Sequence, residues 1–204
     1  MSRLTRRAAL AIAAAFAAGS AMAAPAALPG DMSLGNPKAK IQVIEYASLS
    51  CSHCAHFNEA VFAGFKTKWV DTGKARYTLK EMLTAPEQVA AAGFLMARCA
   101  GPAKYFKMVD EVFRSQPRWV DGKIKSVLME IGAANGLSAD QSNACLQDQP
   151  ALDALTLRAR RAFEADGVTS TPTVFVNGVK LEPLPQTPAE MDAAIARVLK
   201  RGGR

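Results

Sequence analysis

Apolar residues fill most of the stretch Lys40-Ile41-Gln42-Val43-Ile44-Glu45-Tyr46-Ala47, and its short length predicts a strand over Ile41–Ala47. The period then changes. Phe57, Val61, Phe62, Phe65 and Trp69 recur at helical spacing, which predicts an amphipathic helix beginning near Cys51. A second strand pattern covers Ala75 to Lys80. Two more, Thr173 to Asn177 and Val179 to Leu181, flank Asn177-Gly178, a strong hairpin signal. A final helix is expected from Thr187 as N-cap, with Pro188 at its first position and Glu190 completing a capping box. Met191, Ala194, Ile195, Val198 and Leu199 form its apolar stripe.

Between these two groups the chain reads as helix throughout. Thr84-x-x-Glu87 and Ser138-x-x-Gln141 have the form of capping boxes. Gly101-Pro102, Gln116-Pro117, Asn135-Gly136 and Gln149-Pro150 punctuate the block. The order is therefore strand–helix–strand, a helical block, then strand–strand–helix. Each flank alone has too few strands to be stable, so the two are expected to share one sheet. With 204 residues, half of them hydrophobic, there is chain enough for one domain with a sizeable core.

The first 23 residues fit a signal peptide better than a structural helix. Arg3, Arg6 and Arg7 precede the apolar run Ala8 to Ala18, which is too short to span a bilayer, and Ala21-Met22-Ala23 offers a cleavage site. Thr5-Arg6-Arg7 leaves both the Sec and the twin-arginine routes open. Residues 24–33 follow as an N-terminal linker, and 34–204 as the folded domain. Cleavage removes three arginines and no acids, lowering the net charge from +7 to +4. No basic run is interleaved with aromatics, so nucleic-acid binding is not expected. Arg158, Arg160 and Arg161 read as a solvated helix face.

Cys51-Ser52-His53-Cys54 carries the candidate chemistry. Two cysteines at this spacing can close a small disulfide ring and open it again. The first lies at a helix N-terminus, where unpaired N–H groups and the helix dipole favour its thiolate. Far downstream, Ser170-Thr171-Pro172-Thr173 leads into the third strand pattern.

Taken with Leu34-Gly35-Asn36-Pro37, with Glu45 six residues before Cys51, and with the run from Gly167 to Gly178, this chain resembles the DsbA-type thiol:disulfide oxidoreductases of the thioredoxin superfamily. The resemblance covers essentially all of the chain after the signal segment. It implies an α/β thioredoxin fold with a helical insertion at about 84–166. It also implies that Cys51 is the exposed nucleophile, that Cys54 resolves the mixed disulfide, and that Glu45 assists proton transfer to Cys54. Pro172 is expected to be cis, with Thr171 opposite Cys51 where a substrate strand could pair. His53 is expected to tune the site by donating a hydrogen bond to the Cys51 sulfur. If the Cys51 pKa were about 4.5 instead of about 8.5, the reduced form would gain roughly 3.4 kcal/mol at pH 7, or about 70 mV. With Cys51 paired to Cys54, Cys99 and Cys145 either pair or both stay free; some family members carry a second, structural disulfide at similar places, which favours the bond here. Closing that loop of about 47 residues could stabilise by roughly 4 kcal/mol on the chain-entropy account.

Two positions depart from the commonest pattern. Ser52 stands where many relatives have proline, and Thr171 where many have valine, threonine also occurring in isomerases. Both positions bear on redox tuning and substrate preference. The resemblance implies a periplasmic dithiol oxidase without cofactor or metal, with exported proteins carrying free cysteines as partners and a membrane DsbB-type reoxidase. The short lead before Leu34, without an added oligomerisation segment, points to a monomer. A reductase or isomerase is the alternative within the same chemistry. A metal-binding module using Cys51, Cys54 and His53 or His56 is disfavoured, because no second Cys/His pair exists for the four ligands of a structural zinc site. Haem attachment is excluded by Ala55, where a histidine would be needed.

Overall fold

The computed structural model describes residues 25–120 and 122–202. The expected signal peptide at 1–23 lies outside the described residues. One five-stranded sheet runs in the order β1-β3-β2-β4-β5, formed by Met32–Gly35, Ala75–Glu81, Ile41–Ala47, Thr173–Val176 and Val179–Lys180 respectively. β2 is central. It pairs parallel with β3 (Glu45 beside Leu79) and antiparallel with β4 (Glu45 beside Val174). The two ends of the chain thus share one sheet, as the sparse strand content of each required.

Alternation along β2 divides the core. Ile41, Val43 and Ala47 join the main apolar cluster, whereas Ile44 and Tyr46 pack on the opposite face with Met82, Ala162 and Val168. The main cluster takes its helical side from Phe57, Val61, Phe62 and Phe65. These residues lie on one continuous helical run: α1 (Ser52–Phe57), a π-helical segment (Asn58–Phe62), α2 (Ala63–Phe65) and a second π-helical segment (Lys66–Val70). Trp69 is only half-buried, and its indole N–H donates to Asp192 at 2.6 Å, which ties this run to α8 (Pro188–Gly202).

Several details differ from the sequence expectations. β1 forms from Met32 onward and pairs antiparallel with β3, so the last two residues assigned to the linker belong to the sheet. Four residues are too few to display an alternating pattern. Thr84 does not cap the following helix. α3 (Glu87–Cys99) starts after Pro86 with no side-chain cap, and Thr84 is turned to the loop before Cys51. The final capping box is half made: the Glu190 N–H donates to the Thr187 hydroxyl, but the Glu190 carboxylate accepts from the Gln186 N–H. The third strand stops at Val176, because Asn177 and Gly178 both take positive φ, 48° and 79°, the backbone of a two-residue hairpin turn.

The insertion consists of α3, α4 (Tyr105–Ser115), a 3₁₀ turn (Gln116–Arg118), α5 (Ile124–Ala134), α6 (Ala139–Leu146) and α7 (Gln149–Glu164). Cys99 and Cys145 are disulfide-bonded, which joins the end of α3 to α6. The Ser138 capping box is complete, with the Gln141 N–H to Ser138 Oγ at 3.1 Å and the Ser138 N–H to Gln141 Oε1 at 2.8 Å. Ser138→Ala is expected to cost about 1 kcal/mol, seen as a lower urea midpoint with unchanged slope.

A buried carboxylate joins the insertion to the sheet. Glu81 ends β3 at 3 % exposure. It accepts from Arg98 Nε at 2.6 Å and Nη2 at 2.8 Å, from Arg158 Nε at 2.9 Å and from the Tyr105 hydroxyl at 2.9 Å. Arg158 is therefore not part of a solvated face, although Arg160 and Arg161 are exposed as expected.

Candidate active site

The strand β2 ends at Ala47, and four residues later Cys51 caps α1. Its backbone is extended (φ −85°, ψ 118°), as at an N-cap, so its side chain folds back over the first turn. Cys51 Sγ accepts from the Cys54 N–H at 3.3 Å and lies 3.5 Å from the Thr171 carbonyl oxygen, to which the thiol donates. Cys51 is half-buried, whereas Cys54, one turn inside the helix, is fully buried. Both carry free thiols, so the structure represents the reduced form.

These surroundings separate the two thiols. Cys51 is pushed down to about 5, chiefly by the hydrogen bond from the Cys54 side chain. Burial opposes this, and Thr171 and the backbone N–H groups of Cys54 and His53 reinforce it. Cys54 moves far up, chiefly because burial penalises its thiolate, with the Cys51 hydrogen bond and the Glu45 charge adding to it. The outer sulfur is thereby biased towards thiolate and the inner one towards keeping its proton.

The loop before Cys51 is held by groups that no motif announced. Ser50 Oγ donates to the Thr84 carbonyl at 2.8 Å, and the Thr84 N–H donates to Ser48 Oγ at 3.2 Å. From the insertion, Gln116 Nε2 donates to the carbonyls of Leu49 at 2.9 Å and Cys51 at 3.2 Å. Gln116-Pro117 showed in the sequence only as punctuation, and Thr84 only as a helix cap.

Glu45 lies on the β2 face shared with Val43 and Ala47, at 3 % exposure. Burial raises its carboxyl to about 7, a hydrogen bond from Tyr77 counteracts that rise, and the charge on Cys51 adds to it. The Tyr77 hydroxyl donates to Glu45 Oε2 at 2.7 Å. Among the described residues no Lys, Arg or His forms an ion pair with this carboxylate.

His53 is placed differently from the expectation. Its side chain is exposed, and among the described residues no hydrogen bond joins its ring to Cys51; the group it offers the sulfur is its backbone N–H. The physical reason is the helix itself, whose second residue projects outward while the first-turn amides face the N-cap. Ser52 is likewise exposed, beside a groove of about 370 Å³ lined by Ala55, Glu59, Phe113, Arg114 and Gln116. His56 is exposed one turn on. The Thr171–Pro172 bond is cis, as the resemblance implied, and Ala85–Pro86 and Glu182–Pro183 are cis as well. Among the described residues no three His, Cys, Asp or Glu side chains converge as metal ligands would.

Comparison with known proteins places this geometry. Residues 27–197 match the sequence pattern of the family described as Thioredoxin. A protein of Rickettsia bellii named "Putative protein-disulfide oxidoreductase" is 33 % identical over 154 residues, which is 74 % of this chain and 59 % of that protein. The chain thus spans less than two thirds of the curated relatives it matches, 56 % in the case of the Rickettsia typhi protein. Among solved structures, Wolbachia pipientis alpha-DsbA1 superimposes with a TM-score of 0.77 at 28 % identity, covering 86 % of this chain and 94 % of that one. Chlamydia trachomatis DsbA has the same fold, with a TM-score of 0.69 at 20 % identity, covering 84 % of this chain and 91 % of that one.

Proposed function

Because the chain belongs to the thioredoxin family, matched from residue 27 to 197, we propose that it is a periplasmic thiol:disulfide oxidoreductase of the DsbA type, acting as a dithiol oxidase on exported proteins. The observation that carries this reading is the placement of the pair: Cys51 is half-buried at the helix N-terminus, with the Cys54 N–H 3.3 Å from its sulfur, while Cys54 one turn inside is fully buried. A thiol held as a thiolate is a good leaving group, and a stabilised reduced form makes a strong oxidant.

The reaction begins with Cys51 and Cys54 joined. A substrate thiolate attacks Cys51 Sγ, the Cys51–Cys54 bond breaks, and Cys54 leaves with the electron pair. Glu45 gives Cys54 its proton, a task suited to a carboxyl that titrates near 7. A second substrate thiolate then attacks the substrate sulfur of the mixed disulfide and expels Cys51 as thiolate. The substrate loses two electrons and the enzyme gains them. A membrane reoxidase of the DsbB type then takes them away. The half-buried Thr171, whose carbonyl lies opposite Cys51, offers the substrate segment a place to pair as an added strand. Among the described residues no helix is long and apolar enough to cross a membrane.

Two measurements test this. Equilibrated against glutathione, the protein is expected to show a potential well above the thioredoxin value of about −270 mV. A value near or below it would replace the oxidase with a reductase. The second measurement concerns pH. Because the Cys51 pKa is lower in the folded than in the unfolded chain, its contribution to the reduced form is full above the unfolded thiol range. It is partly present at pH 7 and is lost as pH falls through about 5. The reduced protein is therefore expected to melt above the oxidised protein at pH 7, with the gap closing towards pH 5. A gap that does not change with pH would remove the thiolate as its cause.

A further inference from the structure

The carboxyl of Glu45 is buried on β2, among the described residues it has no counter-charge, and one hydroxyl reaches it. That hydroxyl belongs to Tyr77, on the neighbouring strand β3, 2.7 Å from Oε2. The Tyr77 ring is itself fixed. It packs against Phe62 (centroids 4.5 Å apart), Phe106 (5.8 Å, edge to face) and Phe65 (6.3 Å), and is 4 % exposed. Its hydroxyl therefore cannot swing to solvent or to another acceptor without unpacking three aromatic side chains.

We propose that Tyr77 is a positioning residue for proton transfer: its hydroxyl holds Glu45 Oε2 and leaves Oε1 as the oxygen that exchanges a proton with Cys54. This rests on the role given to Glu45 above and extends it to a residue that does not touch the reacting sulfurs. The groups facing Glu45 are Cys51 and Cys54 from the active-site helix and Tyr77 from β3, while β4 presents Val174, which does not titrate. Tyr105 of α4 is the next titratable group beyond Tyr77.

The chemistry has a definite sign. A phenol that donates to a carboxylate favours the charged form and so works against the burial that raises the Glu45 pKa. Without that donor, Oε2 has no partner and the carboxyl keeps its proton to higher pH. The step that needs Glu45 as a base is then delayed. During reoxidation Cys54 must lose its proton before it can attack a mixed disulfide on Cys51, and a carboxyl that is already protonated cannot take it.

The test is Tyr77→Phe, which removes one oxygen and keeps the ring. Reduced protein is mixed with oxidised glutathione across pH 5.5 to about 9, and the release of the second glutathione, the Cys54 step, is followed. The midpoint of its pH profile is expected to rise by about one unit, the usual size for a hydrogen bond to a charged group, with a fall of about fivefold at pH 7. In a Glu45→Gln background the same substitution is expected to change nothing. An infrared titration of the Glu45 carboxyl in the folded protein supplies a second readout, in which the Tyr77→Phe midpoint should also lie above the parent's. A packing role alone would slow the step at every pH without moving the midpoint, and that result, or an unmoved carboxyl titration, would overturn the proposal. If instead Glu45→Gln by itself leaves the pH profile of the parent unchanged, the role of Glu45 falls and this inference with it. If Glu45→Gln removes the profile and Tyr77→Phe does not shift it, only the inference is lost.

Discussion

Cys51→Ala is expected to reduce disulfide transfer to a reduced peptide to the uncatalysed background, a loss on the order of 10⁴-fold or more, as for other covalent nucleophiles. Nothing else in the site can take over the attack. Cys54 is 0 % exposed, and its thiol is held protonated by burial. Cys54→Ala should fail in a different manner. Reduced Cys51 would still attack a mixed-disulfide donor, but with no internal thiol to release the adduct the protein would accumulate covalently joined to it. Mass spectrometry of the two variants after exposure to the same peptide disulfide distinguishes the roles: an adduct on Cys54→Ala and none on Cys51→Ala. The reverse pattern, or substantial turnover by Cys51→Ala, would invert the assignment of nucleophile and resolving thiol.

The largest effect on stability is expected at a residue far from the sulfurs in chemistry. Glu81→Ala removes the acceptor shared by Arg98, Arg158 and Tyr105 and leaves two half-buried guanidinium groups and a fully buried phenol without it. Breaking a buried charge pair on one side typically costs about 3–5 kcal/mol, because the remaining charge is stranded. Three helices of the insertion converge on this carboxylate, so the loss should appear in the global unfolding transition and not as local fraying. Urea denaturation with the Cys99–Cys145 bond intact is the measurement. A loss under about 1 kcal/mol would mean that water replaces the carboxylate at little cost, as at an exposed ion pair.

How much of this could be read in the sequence depends on the range of the interaction concerned. The central strand, the helix that follows Cys51 and the Asn177-Gly178 hairpin are written in contiguous residues, through apolar spacing and turn chemistry, and all three stand in the structure. β1 escaped because four residues cannot show a period. Thr84 misled because Thr-x-x-Glu is a local signature, whereas the actual partner of this threonine, Ser50, lies 34 residues away. Arg158 was grouped with its neighbours on charge alone, and the carboxylate it serves is 77 residues upstream. His53 shows the limit of adjacency. Proximity in sequence to Cys51 suggested a side-chain contact, but the turn of the helix brings its amide to the sulfur and its ring to solvent. Tyr77 falls within the strand pattern Ala75 to Lys80, yet nothing in that pattern could say that its oxygen meets Glu45.

The carbonyl opposite the reactive sulfur belongs to a residue 120 positions further along the chain. In a polypeptide synthesised N-terminus first, the two cysteines emerge well before the segment that completes their site. Until β4 docks beside β2, the Thr171 carbonyl is not in place opposite Cys51. Loops of this span close slowly compared with local helix formation. Completion of the site is therefore a late event in the life of each molecule, and any proteolytic cut between the two segments before folding yields a chain that carries the CxxC motif without the carbonyl that faces it.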